Sequence, residues 1–128
     1  MAVTHSTAAR NASADAVLAL IGASGRLRFR LSGTVSSPGT SVANLGLAAT
    51  AFGAATGGTA TAGAITSDTN AAGNASPVAN ATLETSGGTV VVHCAVAASA
   101  SDINMSGGLT IGAGDTVSCS SLTYSAMP

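Results

Sequence analysis

The sequence predicts a mainly β protein: an antiparallel β-sandwich or jelly-roll of about seven strands, preceded by one N-terminal α-helix. Three observations carry that expectation. Helical periodicity is confined to the residues before Gly22, and from Arg26 onward apolar residues alternate with a period of two. Turn chemistry then recurs at short intervals, in Ser36-Ser37-Pro38-Gly39, Gly57-Gly58, residues 68–77, Gly87-Gly88, Gly107-Gly108 and Gly112-Ala113-Gly114. A chain of 128 residues has the length of one domain, which divides into a helix and linker (1–25) and a sandwich (26–128).

The helix is expected over residues 4–22. Ala9, Ala12, Ala16 and Leu20, joined by Val17 and Ile21, recur at three- and four-residue spacing and form an apolar stripe. Thr4 or Ser6 is placed to cap the N-terminus and Gly22 to supply a left-handed C′ residue, enclosing about four turns. In residues 26–31, Leu27, Phe29 and Leu31 face one way and Arg26, Arg28 and Arg30 the other. Further strands are expected at 43–50, 59–66, 78–85, 89–97, 102–105 and 115–124. In the 89–97 strand Val90, Val92, Cys94 and Val96 share the core face, and His93 lies opposite with Val91 and Ala95. In the last strand Val117 and Cys119 are out of step with Leu122 and Tyr124, so a β-bulge at Ser120-Ser121 is expected to restore one face.

Charge argues against several classes of function. Charged residues make up 7% of the chain, four arginines and no lysine against five acids, for a net charge of −1. A phosphate-gripping protein needs a basic excess and an anionic lipid surface needs a basic cluster, so neither nucleic acid nor membrane is an expected partner. Stacking on bases or sugars would have to rely on Phe29, Phe52 and Tyr124. No run approaches the roughly 18 apolar residues of a spanning helix. Asp15 interrupts the apolar stretch a secretion signal would need, so synthesis in a cytoplasm is expected. Asn-X-Ser/Thr triplets at Asn11, Asn74, Asn80 and Asn104 are what an Asn/Ser/Thr-rich chain produces by chance. Cys94 and Cys119 are expected as buried free thiols, with a single strand-to-strand bridge as the alternative.

Catalytic chemistry finds little to build on, and no enzyme activity is expected. His5 and His93 stand in no recognised spacing with a cysteine or carboxylate, and Cys94 faces away from His93. Two histidines and two cysteines that do not cluster make no metal site, so neither metal nor cofactor is expected. Asp68-Thr69-Asn70 faintly resembles the start of a calcium loop, but the twelfth position is Ala79 and a polar turn accounts for it better. The unusual feature is the row Arg26, Arg28, Arg30, whose side chains stand about 7 Å apart on one strand face. It reads either as a stripe that docks acidic groups of a partner or as the solvated face of an edge strand that discourages aggregation.

Three stretches carry a resemblance. Met1-Ala2-Val3-Thr4-His5-Ser6-Thr7-Ala8-Ala9-Arg10-Asn11-Ala12, then Ala51-Phe52-Gly53-Ala54 leading to Ala64-Ile65-Thr66-Ser67-Asp68-Thr69, and Ile111-Gly112-Ala113-Gly114-Asp115-Thr116-Val117-Ser118 are similar to small tailed-bacteriophage structural proteins, some of them head decoration (capsid cement) proteins. The resemblance implies an N-terminal helix before a β-sandwich or jelly-roll that clamps neighbouring capsid subunits. The expected location is then the outer capsid surface of a virion. The expected partners are the major capsid protein and copies of the chain itself, as a dimer or trimer. Within the arginine row only Arg28 matches the group's pattern, and no catalytic residue carries over. Two other roles stay open: a tail- or fibre-associated receptor- or carbohydrate-binding module, and a self-assembling tube or filament subunit.

Overall fold

The computed structural model describes residues 3–126, so the outermost residues of the expected domain limits, 1–2 and 127–128, lie outside the described residues. Helix α1 (Thr7–Ala19) starts where the sequence allows it to. Ser6 is extended and its hydroxyl accepts the Ala9 N–H at 3.2 Å, which satisfies one of the amides that a helix N-terminus leaves without a partner. At the other end Leu20 caps the helix, and Gly22 adopts the left-handed conformation two residues beyond it (φ 70°).

Only one margin of the expected stripe faces inward, Ile21 being buried and Val17 half-buried, while the rest of it faces out. Ala9, Ala12, Ala16 and Leu20 are exposed, Leu20 at 66%, whereas Ala14, Leu18 and Ile21 are buried. Polar side chains set this orientation. Asp15 Oδ1 accepts the Ala55 N–H at 2.8 Å and Asn11 Oδ1 accepts the Gly58 N–H at 2.7 Å, so the 55–58 turn is pinned to the inward side of α1. The Arg10 guanidinium lies against Gly58, whose positive φ of 82° and lack of a Cβ permit the approach. Alanine discriminates weakly between inside and outside, and backbone amides in need of acceptors outweigh it.

Eight strands follow: β1 (Arg26–Arg30), β2 (Ser41–Leu47), β3 (Thr59–Thr61), β4 (Ile65–Thr66), β5 (Asn80–Glu84), β6 (Val90–Ala97), β7 (Ile103–Asn104) and β8 (Thr123–Ser125). Six form a curled sheet in the order β4-β2-β1-β5-β6-β7, and β3 pairs with β8 in a second, two-stranded sheet. The protein is mainly β and roughly sandwich-like. Leu27 and Phe29 of β1 stand beside Leu45 and Ala43 of β2 and Leu83 and Ala81 of β5. All six are buried, and α1, the small sheet and the segment holding Ile111 and Val117 contribute to the same core.

Four expectations change. The sheet is mixed, because β7 runs parallel to β6. β1 is central rather than an edge, so its arginines are not a device for guarding an open edge. The 59–66 run divides into β3 and β4 in different sheets, where Ala62 donates to the Leu122 carbonyl and Gly63 to that of Ala51 as the chain crosses between layers. Residues 115–124 are not one bulged strand. Val117 forms an isolated bridge with Asp68 and regular pairing resumes only at Thr123. Val117, Cys119, Leu122 and Tyr124 all still reach the core, because an irregular crossing absorbs the change of parity that a bulge was expected to absorb. Bulges occur instead at Phe29/Arg30 and Leu83/Glu84.

Candidate functional site: the arginine face of the main sheet

The face of the sheet away from the apolar core is built from three matched rows. Across β2, β1, β5 and β6, Asn44, Arg28, Thr82 and His93 align; Gly46, Arg26, Glu84 and Val90 form the row on one side, and Ser41, Arg30, Asn80 and Ala95 the row on the other. The register shift at Leu83/Glu84 thus takes Val90 out of the core face expected for it. Strand β5 is buried on both faces, so the polar residues Asn80, Thr82 and Glu84 need partners within the fold.

Glu84 is the centre of the arrangement and is fully buried. Its Oε2 accepts Arg30 Nη2 at 2.6 Å and also the Thr82 hydroxyl, and its Oε1 lies 3.7 Å from Arg28 Nε. Arg30 is 6% exposed and fully engaged: Nε donates to Thr82 Oγ1 at 3.1 Å and Nη1 to the Gly39 carbonyl at 2.6 Å, which ties the β1–β2 hairpin down over it. Charge-assisted bonds of this kind compensate the cost of taking the ions out of water. Arg30 is therefore removed from the expected docking stripe, because it is buried and its Nε, Nη1 and Nη2 each already donate within the fold. Arg26 and Arg28 are half-buried, and the Arg26 side chain forms no hydrogen bond or ion pair among the described residues.

Sequence reading passed over Glu84, although a signal was present. Asn80, Thr82 and Glu84 repeat with the same period as Arg26, Arg28 and Arg30, and two strands with polar triplets in phase are candidates to pair. His93 falls on the expected side, opposite Thr82, with Nε2 buried and without a hydrogen-bond partner.

The other acids serve the backbone. Beyond Asp15, Asp68 accepts the Asn44 N–H at 2.9 Å and the Asn70 N–H at 3.0 Å, which makes residues 68–70 the expected polar turn. Asp102 accepts the Ala95 N–H and Asp115 the Gly112 N–H. Among the described residues no group of three or more His, Cys, Asp and Glu is placed to hold a metal ion, and no helix is long and apolar enough to cross a membrane. Cys94 and Cys119 are free and half-buried. Cys94 stands opposite Ala81 at the margin of the core rather than inside it, and burial together with the Asp102 carboxylate pushes its thiol up to about 11. Burial raises the Cys119 thiol as well.

A cavity of about 650 Å³ opens between residues 102–108 and 115–123, lined also by Phe29, Thr110 and Ile111. The chain matches no protein-family model, no curated protein and no solved structure.

Proposed function

We propose that the chain is a structural protein of a phage virion that decorates the capsid and stabilises it by bridging neighbouring capsid subunits. One observation supports this reading above others: each of the five Asp and Glu side chains accepts a hydrogen bond from the chain itself, and Glu84 and Arg30 are buried. What is left for the outer surface is mostly alanine, glycine, serine and threonine, with Val3, Leu20 and Val35 standing out among them. Such a surface approaches a neighbour closely, and short side chains lose little rotamer freedom on contact. The arrangement favours static packing of many copies over turnover of a substrate.

Adding the purified chain to capsids that lack it tests the role directly. The temperature at which the shells open should rise until the sites are filled; shells whose melting does not change at a saturating amount refute the assignment. A second reading, a carbohydrate- or receptor-binding module on a tail or fibre, draws on the cavity of about 650 Å³. Saturable binding on a glycan array, lost on filling the cavity by Ser118→Trp, would favour it.

A further inference from the structure

The arginine face holds more positive charge than the fold uses. Three cations, Arg26, Arg28 and Arg30, share one carboxylate, Glu84, and that carboxylate is drawn along β5 toward Thr82 and Arg30. Arg26 stands directly opposite Glu84 in the ladder, yet no ion pair joins them. Arg28 Nε is buried without a hydrogen-bond partner, and Glu84 Oε1 is 3.7 Å away. On the β2 side, Arg26 faces Gly46, where no side chain stands in the way, and Arg28 faces the exposed Asn44. The nearest acid on that flank, Asp68, is held in the backbone layer by the Asn44 and Asn70 amides.

We infer that Arg26, Arg28 and Asn44 form a carboxylate-binding subsite, which takes an acidic side chain of a partner protein lying over this face of the sheet. Arg26 and Arg28, two residues apart on one strand face, offer planar donor pairs that match carboxylate oxygens, and the exposed Asn44 beside Arg28 adds a neutral amide donor. Glu84 on the neighbouring strand holds Arg30 in place, pairs with Arg28 only at 3.7 Å and leaves Arg26 without an ion pair among the described residues. The site is too small for a nucleic-acid backbone, which carries a charge every few ångströms and would need a longer basic track than this chain, net −1, supplies. The inference rests on the geometry of this face and stands whichever assembly the chain joins.

The test uses the intact chain and a hexaglutamate peptide at low salt. Only four arginines are present, so four Nε–Hε cross-peaks report on the face one residue at a time. The Arg26 and Arg28 peaks should move on titration, those of Arg10 and Arg30 should stay, and about 0.5 M NaCl should abolish the change. Arg26→Gln, at a position with no internal bond to lose, should weaken binding about tenfold. Asn44→Asp, exposed and therefore tolerated, should abolish binding by placing a competing carboxylate beside Arg28. The inference is overturned if the Arg26 peak is unmoved at about 10 mM peptide, if all four peaks move together, or if Arg26→Gln binds as well as the unaltered chain. Tighter binding of a dodecathymidylate strand than of hexaglutamate would equally overturn it, in favour of nucleic acid.

Discussion

At the scale of single residues, Glu84 decides the most. Breaking a buried ion pair leaves an uncompensated charge, so Glu84→Gln should lower the unfolding free energy by about 3–5 kcal/mol in urea titration. Replacing both partners, Glu84→Leu with Arg30→Met, should recover much of that loss, since an apolar pair of similar volume needs no desolvation of ions. A double variant as unstable as Glu84→Gln would show that Arg30 acts chiefly through the Gly39 carbonyl. Cys94 offers a second residue-scale test. With its thiol pushed up to about 11, it is almost wholly protonated at pH 8, and alkylation by iodoacetamide should run on the order of 100-fold slower than for a free cysteine. The rate should climb with each pH step toward 11. The sign for stability follows: the buried neutral thiol favours the folded state below pH 9, and that contribution fades as the pH rises through the folded value, an effect that Cys94→Ser should remove.

At the scale of elements, the contact between α1 and the 55–58 turn is the informative case. Two polar side chains of the helix, Asn11 and Asp15, bond that turn and Arg10 lies against it, so the helix docks on its own domain through specific bonds as well as through Ala14 and Leu18. Asp15→Ala should cost about 1–2 kcal/mol, and hydrogen exchange at the Ala55 amide should accelerate by a matching factor. Gly58→Ala should cost about 1–3 kcal/mol, because a Cβ would meet the Arg10 guanidinium at a positive φ. Unchanged exchange at Ala55 in the Asp15 variant would mean that apolar burial alone seats the helix. The existence of the helix, its Ser6 cap and the strands β1, β5 and β6 were legible in the sequence because their signals are local. The inward face of α1 was not, since an alanine stripe carries little information about which side is buried. The division of 59–66 was hidden for a related reason: alternation of Thr and Ala marks extended chain without saying which sheet it joins.

At the scale of the whole molecule, ion pairs on the open surface contribute little to the fold. Among the described residues, the Arg28 and Arg30 salt bridges converge on the buried Glu84, where screening by salt is weak. Melting temperatures in about 0.05 M and 0.5 M NaCl should therefore agree within about 2 °C by scanning calorimetry; a larger fall would show that exposed charges carry stability. The sheet ends are short, β4 and β7 being two residues each, which limits the template for edge-to-edge growth.

The sequence by itself determined the class of this protein. A period of two punctuated by glycine turns commits the chain to strands, and the scarcity of charge commits it to a surface of small neutral groups. What only tertiary structure decided is which side of each element looks inward and which charges meet. Arg26, Arg28 and Arg30 look equivalent along the chain. In the folded protein Arg30 is locked to Glu84, Thr82 and Gly39, Arg28 is half engaged, and Arg26 is left open. The difference arises because residues 54 positions apart in sequence become neighbours only when β1 and β5 pair, and no local pattern encodes which of three like charges a single carboxylate will take.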